Sequence, residues 1–486
     1  MAIESDTKVA AELVVSASMV TPAVTLAVTP VVTIDRARLQ ALVALERATY
    51  RDRHEASAAL FGQASHLFGR VPMTWMAKWS GGFPLYLATA HGNRIRSVDG
   101  LEFIDFALGD TAAMAGHSPS ATVEAVQSRL GVDGGVTTML PTADAEWVGA
   151  HLAERFGVPL WSFTLTATDA NRWALRLGRL ATGRPKVACF AYSYHGSVDE
   201  TFVVTAADGS TASRPGNVGP AVDPAVTTVA MEWNDLASVE RALANRDVAV
   251  LITEPALTNI GIVLPDEGFL EGVRELCDTY GTLLLIDETH TLSVGWGGAT
   301  RAWALRPDIF VIGKSLGGGV PCGAYGITEY VADLIAPHTR VGDADIVDVG
   351  GVGGTLAGNA LSTAAMRATM EQVLTPAAFA HMIDLATRFT LGVKQTLTRT
   401  GLPWSVTQLG ARAEYRFVDP APRDGSASAA AADDELDEFA HLYMANRGVL
   451  ITPFHNMALM CPDTTAADVD RHTELFAAMA DLLVSW

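Results

Sequence analysis

In the stretch DIFVIGKSLGGGVPCGAYG, residues Asp308 to Gly326, a single lysine, Lys314, stands between the end of an apolar run and a string of glycines. Two chemistries use a lysine so placed. One is a phosphate-binding loop that points its ammonium at a nucleotide, and the other is a Schiff-base site that joins the amine to an aldehyde cofactor. The loop needs a glycine five positions ahead of the Gly-Lys pair, so that backbone amides can curl around phosphates. Asp308 occupies that position, and the glycines follow the lysine, so the phosphate loop fails. The second glycine cluster, GGVGGTLAGN, contains no G-x-G-x-x-G in any register, which leaves a dinucleotide site without support.

A Schiff-base lysine that works with pyridoxal phosphate makes other demands: an acid for the ring nitrogen, a face to cover the ring and a cup for the phosphate. In TLLLIDETHT the acid is Asp287, placed directly after five residues of buried-strand character. A carboxylate there keeps a pyridinium protonated and makes the ring an electron sink; taken alone, it reads equally as a cap on the following segment. The stretch TLTATDANRWALRLGRLATGRPKVACFAYSYHG reverses that balance. It sets Thr166, Ala167 and Thr168 at the start of an amphipathic helix, where free amides and the helix dipole favour a phosphate. It then runs into a strand ending at Tyr194-His195-Gly196, so Tyr194 is a candidate to stack on a ring, or an ordinary core tyrosine.

The elements that must position these residues are legible as an alternation. Between about Glu146 and Gly326, the apolar runs KVACFAY, VAVLIT, TLLLID, DIFVIG and GAYGIT read as strands. DANRWALRLGRLA, DLASVERALA and EGFLEGVRELCDTYG read as helices between them. Such alternation predicts an α/β fold, a mainly parallel sheet wrapped by helices with ligands at the carboxyl ends of its strands. Upstream, RARLQALVALERATYRDRHEASAAL has helical spacing, and GNRIRSVDGLEFIDFALGD reads as a hairpin turning at Asp99-Gly100. Downstream come a helix in NALSTAAMRATMEQVL and a strand in RAEYRFV. The acidic, alanine-rich DGSASAAAADDELDE reads as an exposed loop running into a helix, and TAADVDRHTELFAAMADLL as a last helix with a Thr/Asp cap. The expected division is an N-terminal extension over 1–33, the N-terminal part of a small domain over 34–102, a large cofactor-binding domain over 103–360 and the rest of the small domain over 361–486.

Composition bounds the function. A chain of 486 residues with 49% hydrophobic side chains is enzyme-sized. A formal net charge of -20 with no dense basic patch argues against nucleic acid. Four cysteines far apart in sequence, with no C-x-x-C, argue against a zinc knuckle or a disulfide framework, and a reducing cytoplasm fits best. The first 33 residues are rich in Val, Thr, Ala and Pro, but their apolar runs fall short of the roughly 20 residues a membrane span needs. They read as a mobile extension, and no membrane partner is expected.

From about Leu67 to the C-terminus the sequence resembles the class III, fold type I pyridoxal-phosphate aminotransferases, nearest the glutamate-1-semialdehyde aminomutase and β-amino-acid transaminase branch. The most specific block is GKSLGGGVPCGAYG, similar to the family's lysine followed by glycines, and the resemblance implies that Lys314 carries the cofactor. It implies further that Ala167 and Thr168 cup the phosphate, that Tyr194 stacks on the ring and that Asp287 holds the ring nitrogen under the cover of Thr289. Asn259, five residues after Glu254, falls where the aminomutase branch places a residue near the phenolic oxygen. Gly354 to Asn359 resembles the family's Gly-Thr-x-x-Gly-Asn, which implies that Thr355 reaches the phosphate of a neighbouring subunit in a homodimer with shared active sites.

The departures from the pattern are informative. Ala167 stands where glycine is usual and Thr289 where valine is usual. In GRVPMTWMAKWSGGFPLYL, the neighbourhood that carries a carboxylate-binding arginine in the resembled enzymes has Trp75 and Met76 instead, with Arg70 and Lys78 as the alternatives in a shifted alignment. Asp110, at an aromatic position of the pattern, reads as a binder of loop amides or of a cation. For an acceptor carboxylate the available groups are Arg412 and Arg416, in GARAEYRF, and His455; salt bridges are the competing role for the arginines. The resemblance implies an aminotransferase that moves an amino group from a primary amine or apolar-tailed donor to a 2-oxo acid such as pyruvate or 2-oxoglutarate. An aminomutase or racemase on the same scaffold is the alternative, and a non-catalytic relative has no chemical need for both Lys314 and Asp287.

Overall fold

The computed structural model describes residues 32–340, 344–347 and 349–484; the extension expected over 1–33 lies outside these apart from residues 32 and 33. Its centre is a seven-stranded sheet. From edge to edge the strands are Leu160–Thr164, Gly323–Ile327, Ile309–Ile312, Leu283–Asp287, Val248–Thr253, Lys186–Phe190 and Thr228–Met231. Gly323–Ile327 runs antiparallel to both its neighbours and the other pairs are parallel. The five strands read from the sequence are all here. Every residue of Val248–Thr253, Leu283–Asp287 and Ile309–Ile312 is buried, as expected of strands covered by helices on both faces.

The two edge strands had no apolar run to announce them. Leu160 is exposed and Trp161 to Phe163 are half-buried, while Thr228–Met231 is only four residues long. Helix Ala167–Thr182 starts where the Thr166 hydroxyl accepts from the Asp169 amide and stops at Gly183 in the left-handed conformation (φ 66). Its Gly178 lies on the sheet, where an added Cβ would sit 2.2 Å from Val250 Cγ2, so only glycine allows this close approach.

The ends of the chain meet in smaller sheets. Arg94–Ser97 and Glu102–Asp105 form the expected antiparallel hairpin, with Gly100 at φ 80 in its turn, and Leu87–His91 extends it. Val449–Leu450 adds in parallel to Glu102–Asp105. A third sheet joins Ser405–Leu409, Arg412–Arg416 and Met457–Leu459. Helix Arg36–Arg53 packs on Asp434–Ala445, with Glu46 accepting from Asn446 and Arg447, and Pro376–Thr400 packs on Ala466–Val484. The last helix opens with a reciprocal cap: the Asp468 amide donates to Thr465 Oγ1 and the Thr465 amide to Asp468 Oδ2. One reading is corrected. The alanine-rich segment forms a helix, Gly425–Ala430, capped by Asp424 and with Gly425 and Ser428 buried, because its small side chains fit against the backbone at Ala191 and Ile260.

Candidate active site

Lys314 follows the buried strand Ile309–Ile312 by one residue. Its φ of 51 is a left-handed conformation that costs a non-glycine residue about 1–2 kcal/mol. Such strain persists only where the surroundings fix it, and here both ends of the residue are fixed. A Cβ on Gly313 would lie 3.0 Å from the Ala167 amide nitrogen, so the strand end is pressed against the start of helix Ala167–Thr182. At the other end, Lys314 Nζ donates to Asp110 Oδ2 at 2.9 Å and lies 2.8 Å from His290 Nε2.

Asp287 ends the neighbouring strand. Its Oδ2 accepts from Asn171 Nδ2 at 2.8 Å and lies 3.0 Å from His195 Nδ1, and its Oδ1 accepts from the Thr289 amide at 3.1 Å. Burial alone would raise its pKa, but the bonds from His195, Thr289 and Asn171 outweigh that and hold the carboxyl below its ordinary value. Asp287 is therefore a carboxylate although it is buried. Behind it, burial pushes Glu254 up to about 7, despite a hydrogen bond from the Thr258 hydroxyl.

The third component is the helix N-terminus. Thr166 caps the Asp169 amide, while the amides of Ala167 and Thr168 belong to the first turn, where no intrahelical acceptor exists. Thr168 Oγ1 accepts from the Ser197 amide, and a Cβ on Gly196 would lie 2.1 Å from that oxygen. Together these residues wall a cavity of about 360 Å³. Ala167, Thr168, Tyr194, Asp287, Thr289 and Lys314, six residues singled out in the sequence, all line it.

The other candidates lie elsewhere. Trp75, Met76 and Asp110 line an adjoining apolar cavity of about 430 Å³, in which Trp75 meets Phe454 edge to face. The Asp110 carboxylate, read as a binder of loop amides or of a cation, pairs with the Lys314 ammonium or amine where the two cavities meet. Asn259, Arg416 and His455 line a third cavity of about 730 Å³ together with Lys78. Thr355 is exposed and lines none of these three. Arg412 is buried and has no carboxylate within 4 Å among the described residues; its Nη2 donates to Thr111 Oγ1. Sequence reasoning assigned no role to Asn171 and His195, which hold Asp287, and it missed His290. His290 lies three positions after Asp287, where the chain leaves the strand and curls into Thr291–Val294, and that turn returns the side chain to the strand ends.

The arrangement fits pyridoxal 5'-phosphate by its own chemistry. It offers one amine, one buried carboxylate, a helix N-terminus for a dianion, and an aromatic ring at the mouth, Tyr194, 37% exposed. His195 Nε2 and Thr289 Oγ1, from two residues that line the cavity, are buried without a hydrogen-bond partner among the described residues, so the cavity holds more polar capacity than those residues use.

Comparison with known proteins agrees with this chemistry. The family model for class III aminotransferases matches residues 75–482. A glutamate-1-semialdehyde 2,1-aminomutase of Nitratidesulfovibrio vulgaris (strain DP4) is 35% identical over 375 residues, 76% of this chain and 85% of that protein. The crystal structure of a glutamate-1-semialdehyde-aminomutase from Pseudomonas aeruginosa PAO1 is 46% identical and superposes with a TM-score of 0.89, covering 93% of this chain and 99% of that one; a variant of it was solved in complex with PMP. An omega-transaminase from Sphaerobacter thermophilus is 28% identical, with a TM-score of 0.79 over 89% of this chain and 99% of that one. This protein belongs to the class III aminotransferases, enzymes of the type I fold that work with pyridoxal 5'-phosphate.

Proposed function

We propose that the protein is a transaminase that takes an amino group from a primary amine or apolar-tailed donor and passes it to a 2-oxo acid. The observation that carries this reading is the character of the wall next to Lys314. Val71, Pro72, Trp75, Met76, Leu85 and Phe454 line the adjoining cavity, and among the described residues neither arginine nor lysine does. Its acidic groups are Asp110 and Asp105, the latter already bonded to His117 at 2.7 Å. A donor carboxylate entering there would lose water and meet like charge, at a cost of several kcal/mol. An apolar tail is favoured instead, by about 25 cal/mol for each Å² removed from water.

Pyridoxal 5'-phosphate supplies the aldehyde that condenses with amines and the ring that accepts the electron pair of the donor carbon. Lys314 would anchor it and, as a free amine, would move the proton on and off the donor carbon. Asp287 keeps a negative charge against the ring nitrogen, and His195 and Asn171 hold that carboxylate in place. The amides of Ala167 and Thr168 would hold the phosphate, with Thr355 of a second subunit as a further contact in a homodimer. Tyr194 and Thr289 cover the ring. For the acceptor's carboxylate, the cavity that holds Asn259 offers Lys78, Arg416 and His455, and it shares Trp79, Pro453 and Phe454 with the donor cavity.

An intramolecular aminomutase is the second reading, and the names of the relatives at 46% and 35% identity favour it. Stoichiometry separates the two. The yellow absorbance of the cofactor-loaded protein is followed on adding an apolar primary amine without a 2-oxo acid. Bleaching that reverses with pyruvate or 2-oxoglutarate is the expected result. A band that ignores such amines, together with turnover of glutamate-1-semialdehyde without any 2-oxo acid, would replace the transaminase reading by the mutase.

A further inference from the structure

Lys314 Nζ has two partners, and the second belongs to a longer chain of hydrogen bonds. His290 Nε2 lies 2.8 Å from Nζ, and the opposite ring nitrogen, Nδ1, lies 2.9 Å from Thr111 Oγ1. Thr111 Oγ1 accepts from Arg412 Nη2 at 2.5 Å, and Arg412 Nη1 stands 3.5 Å from the same Nδ1. His290, Thr111 and Arg412 are all buried, so water does not reset these partners.

The chain has a direction. A guanidinium can only donate, so the Thr111 oxygen receives one of its hydrogens and has its own left to give to Nδ1. A second guanidinium N–H on that side leaves no room for a hydrogen on Nδ1. The proton of the neutral imidazole therefore sits on Nε2 and points at Lys314 Nζ. An ammonium there would set hydrogen against hydrogen. A neutral amine offers its lone pair to Nε2–H and gives its own hydrogen to Asp110. Burial, with the Arg412 charge adding to it, keeps His290 far below its ordinary pKa against the pull of Asp110 and Asp287, so the imidazole stays neutral. The backbone at Asp110 and Thr111 is left-handed, with φ of 49 and 83, which brings both side chains to bear on the lysine and its partner.

We propose that Arg412, Thr111 and His290 form a positioning chain that holds the free Lys314 side chain as the neutral amine, the form that adds to an aldehyde and takes a proton from carbon, in opposition to Asp110, which favours the ammonium. The proposal rests on Lys314 being the cofactor's anchor.

The test uses cofactor-free protein and the rate at which added pyridoxal 5'-phosphate forms the yellow adduct, followed by stopped-flow absorbance from pH 6 to pH 10. Because only the neutral amine adds, the pH of half-maximal rate reports the lysine's proton. His290→Leu and Thr111→Val should each move that midpoint up by about one pH unit, the size of one hydrogen bond to a charge-bearing site. Asp110→Asn should move it down, and His290→Gln, which keeps an N–H donor, should stay nearer the parent. Midpoints for His290→Leu and Thr111→Val that coincide with the parent, or lie below it, would overturn the chain. Should His290→Leu not fold, Thr111→Val, nearly identical in shape to the native side chain, decides alone. An adduct that still forms in Lys314→Ala would overturn the anchor, and the chain with it.

Discussion

His195 Nδ1 lies 3.0 Å from Asp287 Oδ2, with both residues buried in the lining of the Lys314 cavity. Asn171 anchors both partners, donating to Asp287 Oδ2 and to the His195 carbonyl oxygen. The carboxylate is thus kept charged by hydrogen bonding in a place where burial alone would raise its pKa. Replacing Asp287 by Asn keeps the shape but removes the charge that this arrangement exists to hold. Turnover should fall about 10²–10³-fold, the usual loss for one preorganised electrostatic contact. Capture of the cofactor by Lys314 should persist. Steady-state assays beside the yellow absorbance check both halves, and a variant with full turnover would remove Asp287 from the chemistry.

Gly313 has a φ of -153 and is not left-handed, so its lack of a side chain has a different cause: a Cβ there would lie 2.9 Å from the Ala167 Cβ and 3.0 Å from its amide nitrogen. Gly313→Ala should therefore push the first turn of the helix away from Lys314. The expected result is at least a ten-fold weaker hold on pyridoxal 5'-phosphate with little change in the unfolding of the cofactor-free protein. Equilibrium dialysis and thermal melts separate the two. Unchanged cofactor affinity would mean that the helix start does not carry the phosphate.

What the sequence could show follows from burial and distance. Central strands such as Val248–Thr253 are buried on both faces and so read as unbroken apolar runs, whereas the half-exposed edge strand Leu160–Thr164 carries no such mark. Lys314 and Asp287 were legible because each is fixed by its own strand end, a local signal. His290 and Arg412 were not given their places, since their meeting at Thr111 joins positions 111, 290 and 412 through tertiary folding. Asp110 was visible as a departure from the family pattern, but its partner, 204 positions along the chain, was not.

Trp75 is about half exposed at the rim of the apolar cavity, edge-on to Phe454 at a centroid distance of 6.2 Å. Trp75→Arg would place a guanidinium on a wall that among the described residues has no arginine or lysine, and arginine is the side chain best matched to a carboxylate. The ratio of kcat/KM for a carboxylate-bearing donor to that for an apolar amine should rise at least ten-fold, mostly by loss of the apolar amine. A donor profile identical to the parent's would show that this cavity is not where the donor tail lies.

Glu254 gives the stability of the protein a pH dependence of definite sign. Burial pushes its carboxyl from the ordinary 4.5 up to about 7, with Asp287 adding to the rise and His195 and the Thr258 hydroxyl opposing it. The folded chain therefore holds this proton more tightly than the unfolded chain does. The resulting stabilisation is fully present below about pH 4.5 and is lost as the pH rises through about 7, at most about 3 kcal/mol in all. Glu254→Gln keeps a neutral hydrogen-bonding group of nearly the same shape and has no proton to lose. Thermal melts of the cofactor-free proteins should coincide near pH 5 and diverge towards pH 8, where the glutamine variant should melt higher. Parallel curves over that interval would mean that Glu254 is already ionised in the folded protein.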